Sequence, residues 1–242
     1  MRIRYLKRTE EILQNSAYIL AVPSLERATE EGDTAIPAAP EQPAEPASSL
    51  ATILSSGRPL WIEIGCGKGK FILEMAKAHP EVEFIGIEKL STILARAVLR
   101  LEGEEAAIPN LHLMRISAED LLSVFPEGSV ERIYLNFSDP WPKDKHAKRR
   151  LTSDRFLPIY AKLLTPDGEL RFKTDNDNLF TFSLESLAAA GWDVLDQTCD
   201  LHHSELNAGN ITTEYEDQFS AAGKSINYLR AKPQRPAQNC PF

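Results

Sequence analysis

The chain has little with which to build a disulfide framework, a metal site or a membrane anchor. Its 242 residues hold three cysteines, Cys66, Cys199 and Cys240, with no paired spacing, which fits a reducing compartment rather than a stapled secreted scaffold. The histidines are scattered at His79, His112, His146, His202 and His203, and no Cys/His spacing matches a metal site. Only His202 and His203 are adjacent, and neighbours on a strand point to opposite faces. They read as structural or as facing a bound partner, and no metal is expected. No apolar run approaches the roughly 20 residues needed to cross a bilayer. The first such run, near 18–22, is short and follows Glu10 and Glu11, so it does not read as a secretory signal, and a cytoplasmic protein is expected. Positive charge is also in deficit: 27 Lys and Arg against 35 Asp and Glu leave a net charge of −8. As a sum this argues against a polyanion partner, so any such partner must be met by a local cluster. Nothing resembles a Ser-His-Asp arrangement or a phosphate loop ending in Gly-Lys-Ser/Thr.

What is present suits one α/β domain with an appendage and a substantial core. Arg2, Arg4, Lys7 and Arg8 make residues 1–23 a basic arm, which reads equally as a solvated tail or a functional one. Over 24–58 the composition shifts to Ala, Pro, Glu and Ser, and Pro37, Pro40, Pro43 and Pro46 recur at every third place. That spacing suits an extended polyproline II spacer, expected to be a mobile insertion. A core domain is expected over 59–232 and a tail over 233–242.

The segment LWIEIGCGKGKFILEMAKAHPEVEFIGIEK, 60–89, carries the most information. It reads as an apolar strand, a glycine-dense turn, a helix, and a second apolar strand ending in an acid. Glu88 lies about 20 residues beyond the glycines, the usual place for a carboxylate that holds a ribose. A dinucleotide would need glycine at the sixth place of G-x-G-x-x-G. Counted from Gly65 that place is Lys70, and the glycines fall at Gly65, Gly67 and Gly69. Glycine lets the backbone pass close under a ligand. Glu63 adds a negative charge that would repel a pyrophosphate and welcome a sulfonium or an amino group, both of which S-adenosylmethionine carries.

The pattern continues as alternating strands, at 60–64, 82–87, 111–116, 132–136 and 169–173, and helices, at 69–78, 91–101, 154–164 and 178–190. Thr152 and Ser153 are candidate caps of the third helix. Alternation of this kind predicts a mostly parallel sheet covered on both faces, with ligands beyond the carboxyl ends of the strands. Gly65, Glu88, Ser117, Asp139 and Asp175 all fall just past expected strand ends.

Beyond the fourth strand lies NFSDPWPKDKHAKRR, 136–150. Pro140 and Pro142 force a turning backbone that fixes Asp139 and Trp141 at the rim, and Trp141 offers a stacking face. Lys143, Lys145, His146, Lys148, Arg149 and Arg150 put six basic-type residues into eight positions, the local footprint of a polyanion that the total charge conceals. Further on, Thr213, Glu214, Tyr215 and Glu216 form a polar run whose carboxylates suit the donors on a guanine edge, although by itself such a run is also an ordinary surface turn.

IEIGCGKGKF, FIGIEK, YLNFSDPWPKDKHAKRRLT, FKTDN and TEYEDQF together resemble the bacterial tRNA (guanine-46-N7)-methyltransferase family, over about 59–231 and the basic first residues. The resemblance implies a class I methyltransferase fold: a doubly wound, Rossmann-like α/β sheet, mostly parallel, with an antiparallel last strand. It implies methyl transfer from S-adenosylmethionine to a guanine in the tRNA variable loop. Glu63 and Glu88, with Gly65, Gly67 and Gly69, match its cofactor positions, and Asp139 matches the aspartate placed at both cofactor and base. Lys143, Asp175, Thr213, Glu214, Tyr215 and Glu216 match its substrate positions, and Lys145, His146, Lys148, Arg149 and Arg150 its RNA-binding loop. Where the family often has Asp or Asn for the adenine, this chain has Ser117, whose hydroxyl has a shorter reach. A tRNA partner, no membrane, and a monomer or homodimer follow. Three rivals stand beside this reading: a nicotinamide-dependent oxidoreductase, disfavoured by Lys70; a non-catalytic RNA-binding protein, disfavoured by the acids; and a small-molecule methyltransferase, disfavoured by the basic run.

Overall fold

A computed structural model describes residues 8–22 and 49–235. Arg2, Arg4 and Lys7 of the basic arm, the proline repeat, and Cys240 with the tail from 236 onward lie outside the described residues. Seven strands form one sheet: β1 (Leu60–Ile64), β2 (Glu83–Ile87), β3 (Leu111–Met114), β4 (Val130–Asn136), β5 (Leu164–Thr174), β6 (Trp192–Thr198) and β7 (Asn227–Pro233). Their order is β3-β2-β1-β4-β5-β7-β6. The first five pair in parallel, and β7 runs antiparallel to both its neighbours. This is the class I methyltransferase arrangement.

The helices are α1 (Thr9–Asn15), α2 (Leu50–Ser55), α3 (Lys70–Ala78), α4 (Ser91–Glu102), α5 (Leu157–Leu163), α6 (Asp177–Ala189) and α7 (Glu214–Ala221). β1 and β2 are buried at every position, as the continuous apolar runs of central parallel strands require. One face of the sheet packs Phe71, Ile72, Leu94 and Val98 from α3 and α4. The other packs Leu157, Tyr160, Leu179 and Leu187 from α5 and α6. On β4, β5 and β7 the period-2 alternation is plain. Ile133, Leu135, Leu170, Phe172 and Leu229 are fully buried toward α5 and α6, while the in-register set Arg132, Tyr134, Glu169, Arg171, Tyr228 and Arg230 occupies the opposite face.

Several sequence expectations are corrected. The third helix starts at Leu157 rather than 154, because Pro158 fits only its first turn. Thr152 and Ser153 do not cap it: Thr152 Oγ1 lies 2.7 Å from Ser183 Oγ, and Ser153 Oγ donates to the Lys148 carbonyl. β5 begins at Leu164, five residues early, because the chain bulges between its pairings with Val130 and Arg132. Part of the Ala/Pro/Glu-rich segment is structured: α2, within 24–58, buries Ile53 in the core. The arm is also partly built in. Leu20 N donates to Leu113 O and Leu113 N to Tyr18 O, so this segment extends the β3 edge of the sheet. Among the described residues no helix is long and apolar enough to cross a membrane.

Candidate active site

The carboxyl ends of β1 and β4 and the turn after β1 enclose a cleft of ≈ 290 Å³. Gly65, Gly67 and Gly69 all have positive φ, at 79°, 58° and 76°, a conformation open to glycine at no steric cost. A Cβ at Gly65 or Gly67 would meet nothing within 4 Å, so both leave open space, whereas at Gly69 it would press on Ala97 Cβ at 3.2 Å. The first two glycines therefore form a cradle, and the third lets α3 pack on α4.

Glu63 lines this cleft and is 3 % exposed. Asn136 Nδ2 donates to its Oε1 at 2.9 Å, and its Oε2 has no partner. Burial drives the Glu63 carboxyl up to about 7, against the Asn136 hydrogen bond and the Lys173 charge. A buried carboxylate with one free oxygen beside an open glycine cradle fits a cationic ligand of the S-adenosylmethionine type, whose charge would favour the ionised form.

The far wall is α7. Thr213 caps it reciprocally with Glu216, and salt bridges bind it to the glycine turn, α3 and α4 across the cleft: Lys68 to Glu214 at 2.9 Å, Lys70 to Asp217, and Arg100 to Glu214. Tyr215 and Phe219 of α7 stack with Phe137, with centroids 6.2–6.4 Å apart. Phe137 has φ 52°, an uncommon conformation for a bulky residue, and it lines the cleft directly after β4.

Of the residues singled out in the sequence, the cleft gathers Glu63, Gly65, Gly67, Gly69, Glu214 and Tyr215, and the others stand outside its lining. Asp139 is exposed and stands at the rim, outside the lining. The positive φ of Phe137 and Trp141 (42°) turns the chain away at this point, so Asn136 and Phe137 make the wall at the β4 end. Glu88 is buried beside the glycine turn, where it accepts from Leu90 N at 3.0 Å and faces the Gly67 and Lys89 amides. Ser117 Oγ donates to the Glu119 carboxylate, at the start of a 3-10 turn, Ala118–Ser123. Asp175 accepts from Lys224 Nζ at 3.1 Å.

Glu216 stands behind the cleft wall. It is fully buried and saturated, taking Lys173 Nζ at 2.6 Å, Asn210 Nδ2 at 2.7 Å and His202 Nε2 at 2.9 Å. With Thr213 buried as its cap partner, both hold α7 in place, and Glu214 and Tyr215 are the residues of this run that reach the cleft.

The basic run forms a 3-10 turn, Asp144–Arg149, on the surface. Lys143, Lys145 and Lys148 are exposed, and no salt bridge involves them among the described residues. His146 and Arg149 pack on Trp141, at 5.7 and 4.8 Å between centres. Arg150 is half-buried and committed: it donates to the Pro140 and Trp141 carbonyls at 3.0 and 3.1 Å and lies 4.3 Å over Phe182. It fastens the proline turn rather than presenting its charge.

Sequence reasoning missed Asn136, Phe137, Arg96, Lys68 and Lys70, which all line the cleft. Asn136 and Phe137 sit at a strand end and could have been found by that rule. Arg96 and Ile93 share a helix face visible only once α4 is placed. Among the described residues no group of three His, Cys, Asp or Glu could hold a metal.

Comparison with known proteins places this geometry. The chain matches, over residues 57–229, the model of a family described as "Putative methyltransferase". It is 50% identical over 179 residues to the tRNA (guanine-N(7)-)-methyltransferase of Lachnoclostridium phytofermentans, covering 74% of this chain and 83% of that one. It is 48% identical over 186 residues to the protein of the same name from Geobacillus thermodenitrificans, covering 77% and 84%. Among solved structures, the 16S rRNA methyltransferase KamB aligns with a TM-score of 0.58 at 14% identity, over 76% of this chain and 92% of that one. The 16S rRNA (adenine(1408)-N(1))-methyltransferase from Catenulisporales acidiphilia, solved with its cosubstrate SAM, aligns at 0.55 and 18%, over 78% and 92%. At such identities these two speak for the fold alone. The sequence match over most of the chain, joined to the sheet order and the acid-floored glycine cleft, establishes that the chain belongs to the tRNA (guanine-N(7)-)-methyltransferase family.

Proposed function

We propose that the chain transfers a methyl group from S-adenosylmethionine to N7 of guanine 46 in the variable loop of tRNA, as a cytoplasmic enzyme. The observation that carries this reading is Glu63: a buried carboxylate with an unpartnered oxygen at the floor of a glycine cradle, opposite a helix that brings Glu214 and Tyr215 to the same cleft. Bound there, S-adenosylmethionine supplies an electrophilic methyl group on a positively charged sulfur. Glu63 balances the cofactor's charged end, and Gly65, Gly67 and Gly69 let it lie against the backbone. Glu88 takes the ribose hydroxyls, and Ser117 is the residue nearest the family's adenine position.

Guanine N7 carries a lone pair and no proton, so no base is needed before attack. The chain must instead hold that nitrogen in line with the methyl carbon at about 3–3.5 Å. Tyr215 and Phe137 offer stacking faces for the purine, and Glu214, Lys143 and Asp175 orient its edge. The ring becomes cationic as it is methylated, and a fixed carboxylate stabilises that charge. We assign this role to Asp139, reached from the rim when RNA is seated. Lys145, Lys148 and Arg149, with His146, lie on the surface as tRNA phosphate contacts.

The test is incubation with unmodified tRNA and labelled cofactor, followed by mapping of the modified nucleotide. Label at N7 of guanine 46 is expected. Label at another atom or position overturns the specific function and leaves the class, whereas failure to bind the cofactor would favour a non-catalytic RNA-binding protein.

A further inference from the structure

A second cleft, of ≈ 270 Å³, adjoins the first and shares Asn136 with it. It lies on the polar half-face of the sheet, between α3 and the segment 201–211, and unlike the first, which mixes Glu63 and Glu214 with Lys68, Lys70 and Arg96, its charged lining is all of one sign. Arg132, Arg171 and Lys173 line it, with Tyr134 and Tyr228, and among the described residues no carboxylate does. In a protein of net charge −8, such a lining is a local inversion.

The cations are held in place from behind. Glu169 is 8 % exposed and accepts from Arg171 Nε at 2.7 Å, and it forms ion pairs with Arg171 Nη2 at 2.6 Å, Arg132 Nε at 2.9 Å and Arg230 Nη1 at 3.3 Å. Asp196 also takes Arg230. Three guanidiniums thus face two carboxylates, and the set keeps a net positive charge. Arg171 spends Nε and Nη2 on Glu169, which among the described residues leaves Nη1 uncommitted. Arg132 lies 3.8 Å over the Trp61 ring and spends Nη1 on Tyr134 Oη at 3.2 Å, which among the described residues leaves Nη2 uncommitted. Rigid, half-satisfied guanidiniums next to aromatic rings are the groups that bind a phosphate and stack a base. Lys173, by contrast, gives all three protons to Glu216, Asn210 and Ile211 and contributes only field.

We propose that this second cleft seats a nucleotide, phosphate against Arg132 and Arg171 and base against the half-buried Tyr228, supplied by the tRNA residue next to the methylated guanine. The proposal rests on the reading of the chain as a tRNA enzyme. The shared Asn136 wall puts the two clefts within reach of consecutive nucleotides, so one splayed strand can fill both. A free mononucleotide has the same chemistry and is the alternative source.

The test uses the full chain in three forms: wild type, Arg171→Gln, and Ala208→Glu, which sets an acid at the exposed rim of the cleft and leaves every hydrogen bond described above in place. Binding of unmodified tRNA is measured at several salt concentrations, cofactor binding is measured alongside, and guanosine monophosphate is titrated separately. For the tRNA source, both variants weaken tRNA binding about five- to tenfold, the salt slope of Arg171→Gln falls by about 1, cofactor affinity stays as in wild type, and the mononucleotide does not bind at millimolar concentration. If the mononucleotide binds wild type and is lost in the variants with tRNA binding unchanged, the site stands and the tRNA source is overturned. Wild-type tRNA affinity in a folded variant, with no mononucleotide binding, overturns the site. Should Arg171→Gln fail to fold, Ala208→Glu decides alone. Failure of the underlying tRNA reading would show separately, as wild-type enzyme that leaves tRNA unmethylated.

Discussion

Asn136 donates to one oxygen of Glu63 at 2.9 Å and leaves the other without a partner. The pair joins the ends of β1 and β4, and it fixes the carboxylate without neutralising it. Evolution of a purely stable fold would have no use for such a group, since an unpaired buried charge costs several kcal/mol. Its value lies in what it waits for.

A pH signature follows from that carboxyl. Folding raises it from an ordinary 4.5 to about 7, so between those values the folded protein binds more protons than the unfolded chain. The ligand-free fold is therefore most stable below pH 4.5 with respect to this group, and it loses on the order of 3 kcal/mol as pH rises through 7. A cationic ligand needs the ionised form. Cofactor affinity should fall about tenfold per pH unit below 7, with close to one proton released on binding near pH 6. Calorimetry in buffers of different ionisation heat measures this directly. Glu63→Gln should raise the ligand-free melting temperature at about pH 8, weaken cofactor binding and flatten its pH dependence. A pH-independent wild-type affinity between about 5.5 and 7.5 would remove Glu63 from the charge balance.

Glu216 should behave as a structural residue. Burial alone would raise its carboxyl, but the Lys173 ammonium and the bonds from His202 and Asn210 hold it below the usual range, while burial pushes Lys173 down. Removing one partner of a buried pair strands the other, which typically costs about 3–5 kcal/mol. Glu216→Gln should therefore lower the melting temperature by several degrees and weaken the wall of the cleft with it. A variant of unchanged thermal stability, altered only in KM for tRNA, would make Glu216 a substrate contact after all.

The contrast between Glu63 and Glu216 shows what the sequence could convey. The Gly-x-Gly-x-Gly turn and the apolar β1 and β2 runs are local patterns, and the parallel core, its helices and the acid floor of the cleft follow from them. α7 and β6 have mixed burial and no clean period, and they are stabilised by partners far away in the chain, such as Lys173 for Glu216 and Arg230 for Asp196. The same distance hid which acids face the cleft. TEYE reads as four equivalent polar positions until a capping box buries two of them. Asp139 reads as a cleft residue because it follows a strand end, and the two positive-φ aromatics that turn it outward are backbone choices that no local propensity announces.

The exposed lysines give the electrostatic prediction. Lys145 and Lys148 project from the 3-10 turn without salt-bridge partners among the described residues, so neutralising them should disturb neither fold nor cofactor site. Each tRNA phosphate left without its lysine takes about 0.7–0.9 off the slope of log affinity against log salt. Lys145→Ala with Lys148→Ala should therefore lower that slope by about 1.4–1.8 and weaken tRNA binding at low salt more than at high. Arg150→Ala should instead loosen the turn, because its guanidinium holds the Pro140 and Trp141 carbonyls; it should lower thermal stability by about 1–2 kcal/mol with little change in slope. Equal slopes for wild type and the double variant would remove the turn from the RNA interface.

Asp139 separates two roles that the family resemblance joins. A residue that touches the cofactor and one that touches only the base predict different losses, and the exposed position outside the cleft favours the second. Asp139→Ala should keep cofactor affinity within about twofold and tRNA affinity nearly intact, while kcat falls by roughly 10²–10³, the usual loss when a preorganised charge at the reacting centre is removed. Asp139→Asn keeps the shape and loses the charge, so it should fall almost as far. Single-turnover methylation with saturating tRNA isolates this step from binding and release. A tenfold weaker cofactor affinity in Asp139→Ala would return the aspartate to the methyl-donor cleft, and turnover near wild type would leave the developing charge on guanine to Glu214 or Glu63.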